Sequence, residues 1–336
     1  MAESHVPARS AGASPERPSR RGLPAAVREN GTLVAFAALV LFNAIVTPNF
    51  LALQTLYVNL SQVAPIAIVA IGMTLVIASG GIDLSVGSTM ALAGAVAPYV
   101  FLSGFGVEHP GTGVALGIAC ALAAGLACGA FNGWLVNAFR IQPIVATLVL
   151  FIAGRGLAQV LTNGQLQTFD NAAFEYIGTG RPFGVPFQAL LAIALGVVVA
   201  WTVRRTVLGR QLLAVGGNER AARLSGVAVN RVRLAAYAAA GTLAAIAGLV
   251  VSAINSASDA NQAGLLMELD AIAAAVVGGA SLAGGRAPVI GALIGAAIIQ
   301  LVSYTLLANG VHDAVALIVK GAIIVVAVRA QLGGGE

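Results

Sequence analysis

Asp83 stands inside one of the most apolar stretches of the chain. The run IAIVAIGMTLVIAS precedes GGIDLSVGST (80–89), and MALAGAVAPYVFL follows. A carboxylate in apolar surroundings is costly and is generally tied to function. Gly80 and Gly81 should interrupt a helix, since each costs roughly 1 kcal/mol relative to alanine there. Asp83 then occupies an N-cap position, where its carboxylate can accept from N–H groups at Ser85 or Val86 and meet the positive end of the helix dipole. Ser85 and Ser88 can satisfy other freed groups. Gly87, Ala91, Gly94 and Ala95 allow close approach of a neighbouring helix. The expectation is a break followed by a tightly packed helix. Two compatible roles follow for Asp83: a cap near the membrane edge, and a joint or pathway residue.

Further polar groups interrupt the apolar runs: Asn59, Gln62, Asn132, Gln142, Thr147, Arg155, Gln159, Asn255 and Gln300. Amides of this kind suit the hydroxyls of a polyol, so the set is the candidate substrate pathway. The competing role for each is to satisfy nearby backbone or to cap a loop. Arg155 must find an acid, a carbonyl or water; Asp83 and the loop acids are among the choices. Tyr304, Trp134 and Phe151 read as packing or interfacial residues.

Other chemistry is absent. No G-x-x-x-x-G-K-[ST] loop exists, and the only lysine is Lys320. His5, His109 and His312 are scattered, and no Cys/His set or G-x-S-x-G elbow occurs. Cys120 and Cys128 lie about 12 Å apart along one helical run, too far to bridge. The chain therefore reads as non-catalytic, with no metal and no cofactor of its own.

The elements that must position these groups are membrane helices. The 336 residues are 58% hydrophobic and 9% charged, against about 25% charged in soluble domains. Continuous apolar runs exclude a β-barrel pattern. About ten spans are expected, near 32–51, 62–80, 84–104, 113–138, 143–162, 187–203, 234–255, 270–283, 288–308 and 314–330. The eighth is short and reads as a broken or half helix. With both termini cytoplasmic, fifteen of the 18 basic residues fall inside, as the positive-inside rule requires. The net charge of +5 thus reflects topology rather than nucleic-acid binding. Residues 1–30, with four prolines and five arginines, read as a disordered cytoplasmic tail rather than a signal peptide. Residues 31–331 form the transmembrane domain and 332–336 a short tail.

Two patterns add detail. GGIDLSVG (80–87) is echoed by GGASLAGG (278–285), which pairs Gly80, Gly81 and Gly87 with Gly278, Gly279 and Gly285, with Gly284 beside them. The echo suggests two related halves, as many transporters have. The segment 204–233 is a basic loop on the cytoplasmic side. Within it Asn218 is a good N-cap, Glu219 suits a first turn and Gly226 a C′ stop, which predicts the short helix ERAARLS. It reads either as a solvated topology anchor or as a docking helix.

Four ordered motifs carry a family resemblance: GGIDLSVGS; FNGWLVNAFRIQPIVATLVLFIAGRGLAQVLT (131–162); LGRQLLAVGGNERAARLSGVAVNRVRLAAYAAAGTLAAIAGLV (208–250); and ELDAIAAAVVGGASLAGGR (268–286). The chain resembles the inner-membrane permeases of ribose- and galactose-type ABC sugar importers, nearly throughout after residue 55. TNGQLQTF (162–169) and DANQAGLLMELDAIAA (259–274) look most like galactofuranose-importer permeases. Ala287-Pro288 departs from the glycine and small residue expected after GGR. The resemblance implies a permease delivering a monosaccharide across the bacterial inner membrane, with ATP and Mg used by a separate ATPase subunit. It implies as partners ABC ATPase subunits, a second permease copy or sister permease, a periplasmic sugar-binding protein and the lipid bilayer. By the same resemblance the docking role falls to Asn218, Glu219, Arg220, Ala221, Ala222, Arg223, Leu224, Ser225 and Gly226. The rivals are an ion-coupled secondary sugar transporter, a membrane enzyme and a scaffold.

Overall fold

The computed structural model describes residues 31–312, 314–315, 317–323 and 325. The expected tails, 1–30 and 332–336, and part of the tenth expected span lie outside them. In chain order the helices are α1 (Gly31–Val46), α2 (Leu53–Ala78), α3 (Val86–Phe101), α4 (Gly104–Glu108), α5 (Pro110–Phe139) and α6 (Pro143–Thr162). Then follow α7 (Ala172–Thr179), α8 (Phe187–Arg205), α9 (Val207–Gly217), α10 (Glu219–Leu224), α11 (Val229–Asn255), α12 (Met267–Val277) and α13 (Val289–Ala308). The described residues from 314 to 325 are also helical. Two dipeptides, β1 (Gln167–Thr168) and β2 (Ala257–Ser258), pair antiparallel, Gln167 opposite Ser258.

Among the described residues, six helices are long and apolar enough to cross a membrane: α2, α5, α6, α8, α11 and α13. The apolar α1 and α3 have 16 residues each. The half helix expected near 270–283 is α12, whose 11 residues span about 16 Å, half a bilayer core. Several boundaries differ from expectation: α1 ends at Val46 rather than near 51, and α12 at Val277 rather than near 283. α2 begins at Leu53 rather than near residue 62, and α11 at Val229 rather than near 234. The extra turns carry Gln54, Asn59 and Asn230, Arg231, Arg233, polar residues that a hydropathy reading excludes but a helix tolerates.

α2 and α3 form the centre. Every residue of α2 from Ala64 to Ala78 is buried, as is nearly all of α3. α11 completes this core, while α5, α6 and α8 expose much of their length as apolar side chains. Apolar lipid offers little drive for helices to associate, so close packing of small residues carries the contact. The α5–α11 crossing shows this: a Cβ on Gly241 would meet the Gly125 carbonyl and the Gly129 backbone.

Candidate functional site

α2 ends at the predicted break. Gly80 N–H donates to the Ile77 carbonyl at 2.9 Å and Gly81 N–H to Val76 at 3.1 Å, the paired bonds of a Schellman end. Gly80 has φ +85°, which glycine adopts without strain. Residues 79–85 run outside any helix before α3. Asp83, only 1% exposed, holds them together. Its Oδ1 accepts from Ser85 N–H at 2.9 Å, Ser85 Oγ at 2.7 Å and Asn132 Nδ2 at 3.2 Å. Asn132 also donates to Ser85 Oγ at 2.7 Å, and Leu84 N–H donates to Thr147 Oγ1 at 3.1 Å. Ser88 Oγ reaches the Leu150 carbonyl at 2.8 Å. The expected bond to Ser85 N–H is present, but the cap residue of α3 is Ser85, not Asp83. The chain makes an Asx turn before entering the helix, so the acid sits two residues further out than a cap. Arg155 is not its partner; all the Asp83 contacts are neutral donors.

The second break repeats the geometry. Gly279 N–H donates to Val276 and Ala280 N–H to Ala275, both at 2.9 Å, and Gly279 has φ +95°. The structural counterpart of Gly80 is therefore Gly279, and that of Ser79 is Gly278. The sequence echo paired Gly80 with Gly278, one residue out of register. Repeated glycines hide which of them takes the left-handed position. The two breaks touch: Gly285 N–H donates to the Ala78 carbonyl at 3.0 Å. Gly216, from α9, fits against both, and a Cβ there would collide with Ala78 O and Gly285 N. Ala287-Pro288, the departure from the family pattern, leads into α13 with Pro288 at its N-cap.

A third irregular stretch, 256–266, precedes α12. Arg155 holds it, donating from Nη1 to the Ala260 and Asn261 carbonyls at 2.9 and 3.0 Å and from Nη2 to Ala263 at 3.2 Å. Gln159 Nε2 donates to Asn261 Oδ1 at 2.8 Å. Of the partners open to Arg155, the carbonyl is the one it uses. One residue here escaped the sequence reading. Glu268, 4% exposed, has no hydrogen-bond partner at Oε2 among the described residues. It abuts Gly87 in the first turn of α3, where a Cβ would meet Oε2 and the Gly264 carbonyl. Its position at the start of a short apolar helix resembles a surface acid in sequence, and only the fold buries it.

The remaining pathway candidates fall in separate places. Gln62 Oε1 accepts from Gln300 Nε2 at 2.7 Å, beside an apolar cavity of about 390 Å³ that Asn59 and Gln300 help to line. Gln142 is exposed at the start of α6, and Asn255 is exposed at the end of α11. Among the described residues, Gln142 lines one cavity and Asn59 and Gln300 another. Lys320 finds Asp270 at 3.0 Å.

The basic segment 204–233 is more ordered than a loop. Residues 207–217, expected as loop, form α9, capped by Thr206, which accepts from Gly209 N–H at 3.2 Å. Gly216 and Gly217 close this helix directly before α10. Asn218 caps α10, accepting from Ala221 N–H at 2.9 Å, and Gly226, φ +83°, ends it. Ala222 is buried; Arg220, Arg223 and Leu224 are exposed, Leu224 at 83%. Glu219 joins two arginines, Arg233 at 2.7 Å and Arg223 at 3.0 Å. The Arg233 and then the Arg223 hydrogen bonds hold its carboxyl below its ordinary range. Arg233 continues to Asn137 Oδ1 at 3.3 Å, and Asn137 donates to the Asn230 carbonyl at 2.8 Å. α10 is thus fixed to α11 and α5 while its outer face stays free.

Broken helices around a buried centre, with an ordered polar helix outside it, define a multi-pass membrane transport protein. The chain belongs to the family described as branched-chain amino acid transport system / permease component, which matches residues 56–328. It is 40% identical over 301 residues to the galactofuranose transporter permease of Escherichia coli K12, covering 87% of this chain and 86% of that one. It is 41% identical over 305 residues to the ribose import permease of the same strain, covering 89% and 92%. The fructose import permease of Bifidobacterium longum is 37% identical over 295 residues, covering 84% and 81%.

Proposed function

We propose that this chain is the transmembrane permease subunit of an ATP-driven importer for a monosaccharide such as galactofuranose, galactose or ribose. The observation that carries this reading is α10, a capped helix with a free outer face, tied through Glu219 and Arg233 to the helices around the first break. Two permeases form the pore between them. ATPase subunits dock on residues 218–226, and a periplasmic binding protein delivers the sugar on the opposite side. Movement of α10 passes through α9, whose Gly216 fits against both breaks, and shifts them together. Both termini are cytoplasmic in a ten-span topology. ATP and Mg are used by the partner subunit, and hydrolysis belongs there. The family description names branched-chain amino acids, whereas the three relatives above are named for sugars. Overall identities near 40% to those relatives favour the sugar.

The test is the ATPase activity of the assembled complex with its binding protein. A sugar, and not leucine, should stimulate it, and Arg220→Glu/Arg223→Glu should abolish stimulation without loss of expression. Stimulation by leucine alone would move the substrate to amino acids. One observation favours a second reading, an ion-coupled secondary transporter: Asp83 and Glu268, although beside helix ends, are both deeply buried acids. Vesicles holding this chain alone separate the two, because sugar accumulation driven by an ion gradient without ATP would establish the second reading.

A further inference from the structure

The end of the molecule that bears α10 also carries a basic cleft. It measures about 630 Å³ and lies between α10 and the ends of α5, α6 and α11. Arg140, Arg223 and Arg233 face it, with Glu219 as the only acid among its lining residues. Glu219 is already shared between Arg223 and Arg233. Arg140 makes no ion pair among the described residues. The cleft therefore carries a net charge of about two positive units. Gln142 and Asn230 add polar groups at its walls.

The cleft does not end in water alone. Asn137 and Asn230 also line an adjoining groove of about 260 Å³, whose other walls are Trp134, Ala138, Leu234 and Arg231. Trp134 is half exposed and Phe139 more so. Trp134 packs against Phe131 at 5.9 Å and edge-on against Phe139 at 5.4 Å. Aromatic side chains on the outer flank of a membrane helix, next to arginines, mark the headgroup level of the bilayer. Basic clefts between membrane helices at that level bind anionic lipid headgroups.

We propose that this cleft and groove together bind an anionic phospholipid, its phosphate on Arg140 of the cleft, with Arg231 beside the groove, and its acyl chains along Trp134 and Leu234. A soluble anion would use the arginines and leave the apolar groove without purpose. An acidic side chain of a partner protein would do the same. The bound lipid would lie beside the Glu219 clamp and within reach of Gly80, which lines the same cleft. Lipid composition would thereby bear on the link between α10 and the first break. The inference needs only that the chain is a membrane protein, so it stands apart from the substrate and the energy source.

The test uses the full chain in nanodiscs of phosphatidylcholine doped with either phosphatidylglycerol or phosphatidylethanolamine, read by native mass spectrometry. Phosphatidylglycerol should stay bound to the released wild-type protein and phosphatidylethanolamine should not. Arg140→Gln/Arg231→Gln should weaken retention roughly thirtyfold, from about 1 kcal/mol per basic residue. Arg210→Gln, on α9 and away from the cleft, should not. If the double variant does not fold, the selectivity of the wild type decides. Equal retention of the two lipids overturns the proposal. So does stabilisation by inorganic phosphate with no lipid retained, which would make this a free-anion site. An Arg140→Cys cross-link to the ATPase subunit with no retained lipid would also overturn it.

Discussion

The break at Asp83 and the stretch held by Arg155 solve one problem with opposite charges. Each is non-helical backbone inside a membrane protein, where unpaired groups cost several kcal/mol. At the first, the chain is about to enter α3, so the orphaned groups are N–H donors. Acceptors meet them: Asp83 Oδ1 takes Ser85 N–H and Thr147 Oγ1 takes Leu84 N–H. At the second, the orphaned groups are the carbonyls of Ala260, Asn261 and Ala263, and a forked donor meets them. The sign of the charge thus follows from which half of the peptide group the break exposes. Neither Asp83 nor Arg155 forms an ion pair with the other, and neither needs one.

The largest effect should come from Arg155→Ala, which strips three carbonyls of their donor. A loss of about 3 kcal/mol is expected at roughly 1 kcal/mol per bond, read as a lowered melting temperature in detergent. Arg155→Lys should recover only part of it, because an ammonium cannot reproduce the fork. Full recovery by lysine would mean that charge, not geometry, holds the stretch.

Asp83→Ala should cost about 2 kcal/mol, since Ser85 N–H, Ser85 Oγ and Asn132 lose a shared acceptor. Asp83→Asn keeps an acceptor oxygen and should cost clearly less. Equal losses in the two variants would show that the negative charge matters and would break the comparison. Thr147→Val removes one acceptor from Leu84 N–H, for about 1 kcal/mol. Hydrogen exchange at Leu84 should rise in that variant while that of α11 does not change.

The smallest effect belongs to Glu219, an exposed acid outside the membrane. Its side chain is 45% exposed, so water screens the clamp and Glu219→Gln should cost less than about 1 kcal/mol. Its folded pKa lies below the ordinary value of 4.5. The stabilisation is therefore present above that value and is lost as pH falls through the folded one. Melting curves of wild type and Glu219→Gln should differ near neutrality and converge in acid. A gap that widens in acid would reverse the sign and remove the clamp.

Much of this was legible in one dimension. The break at Gly80, the half helix near 270, the Asn218 cap and the Gly226 stop depend on local backbone preferences, and each lies where the residues placed it. The candidate pathway was less legible. Asn132, Thr147, Arg155 and Gln159 serve breaks elsewhere in the chain, and the groups they satisfy are 47 to 108 residues away. Hydropathy marks such residues as exceptional but cannot name their partners.

By itself the sequence determined the membrane, the run of apolar helices, the helix breaks and the short capped helix α10. Composition, glycine's access to positive φ and the preference of asparagine for a cap are properties of neighbouring residues. Only the tertiary structure decided that Gly279 rather than Gly278 matches Gly80. It alone buried Glu268 against Gly87, brought the two breaks into contact at Ala78 and Gly285, and put carbonyls rather than an acid under Arg155. Those outcomes depend on which helices come together, and that is set by close packing of small residues across the whole bundle.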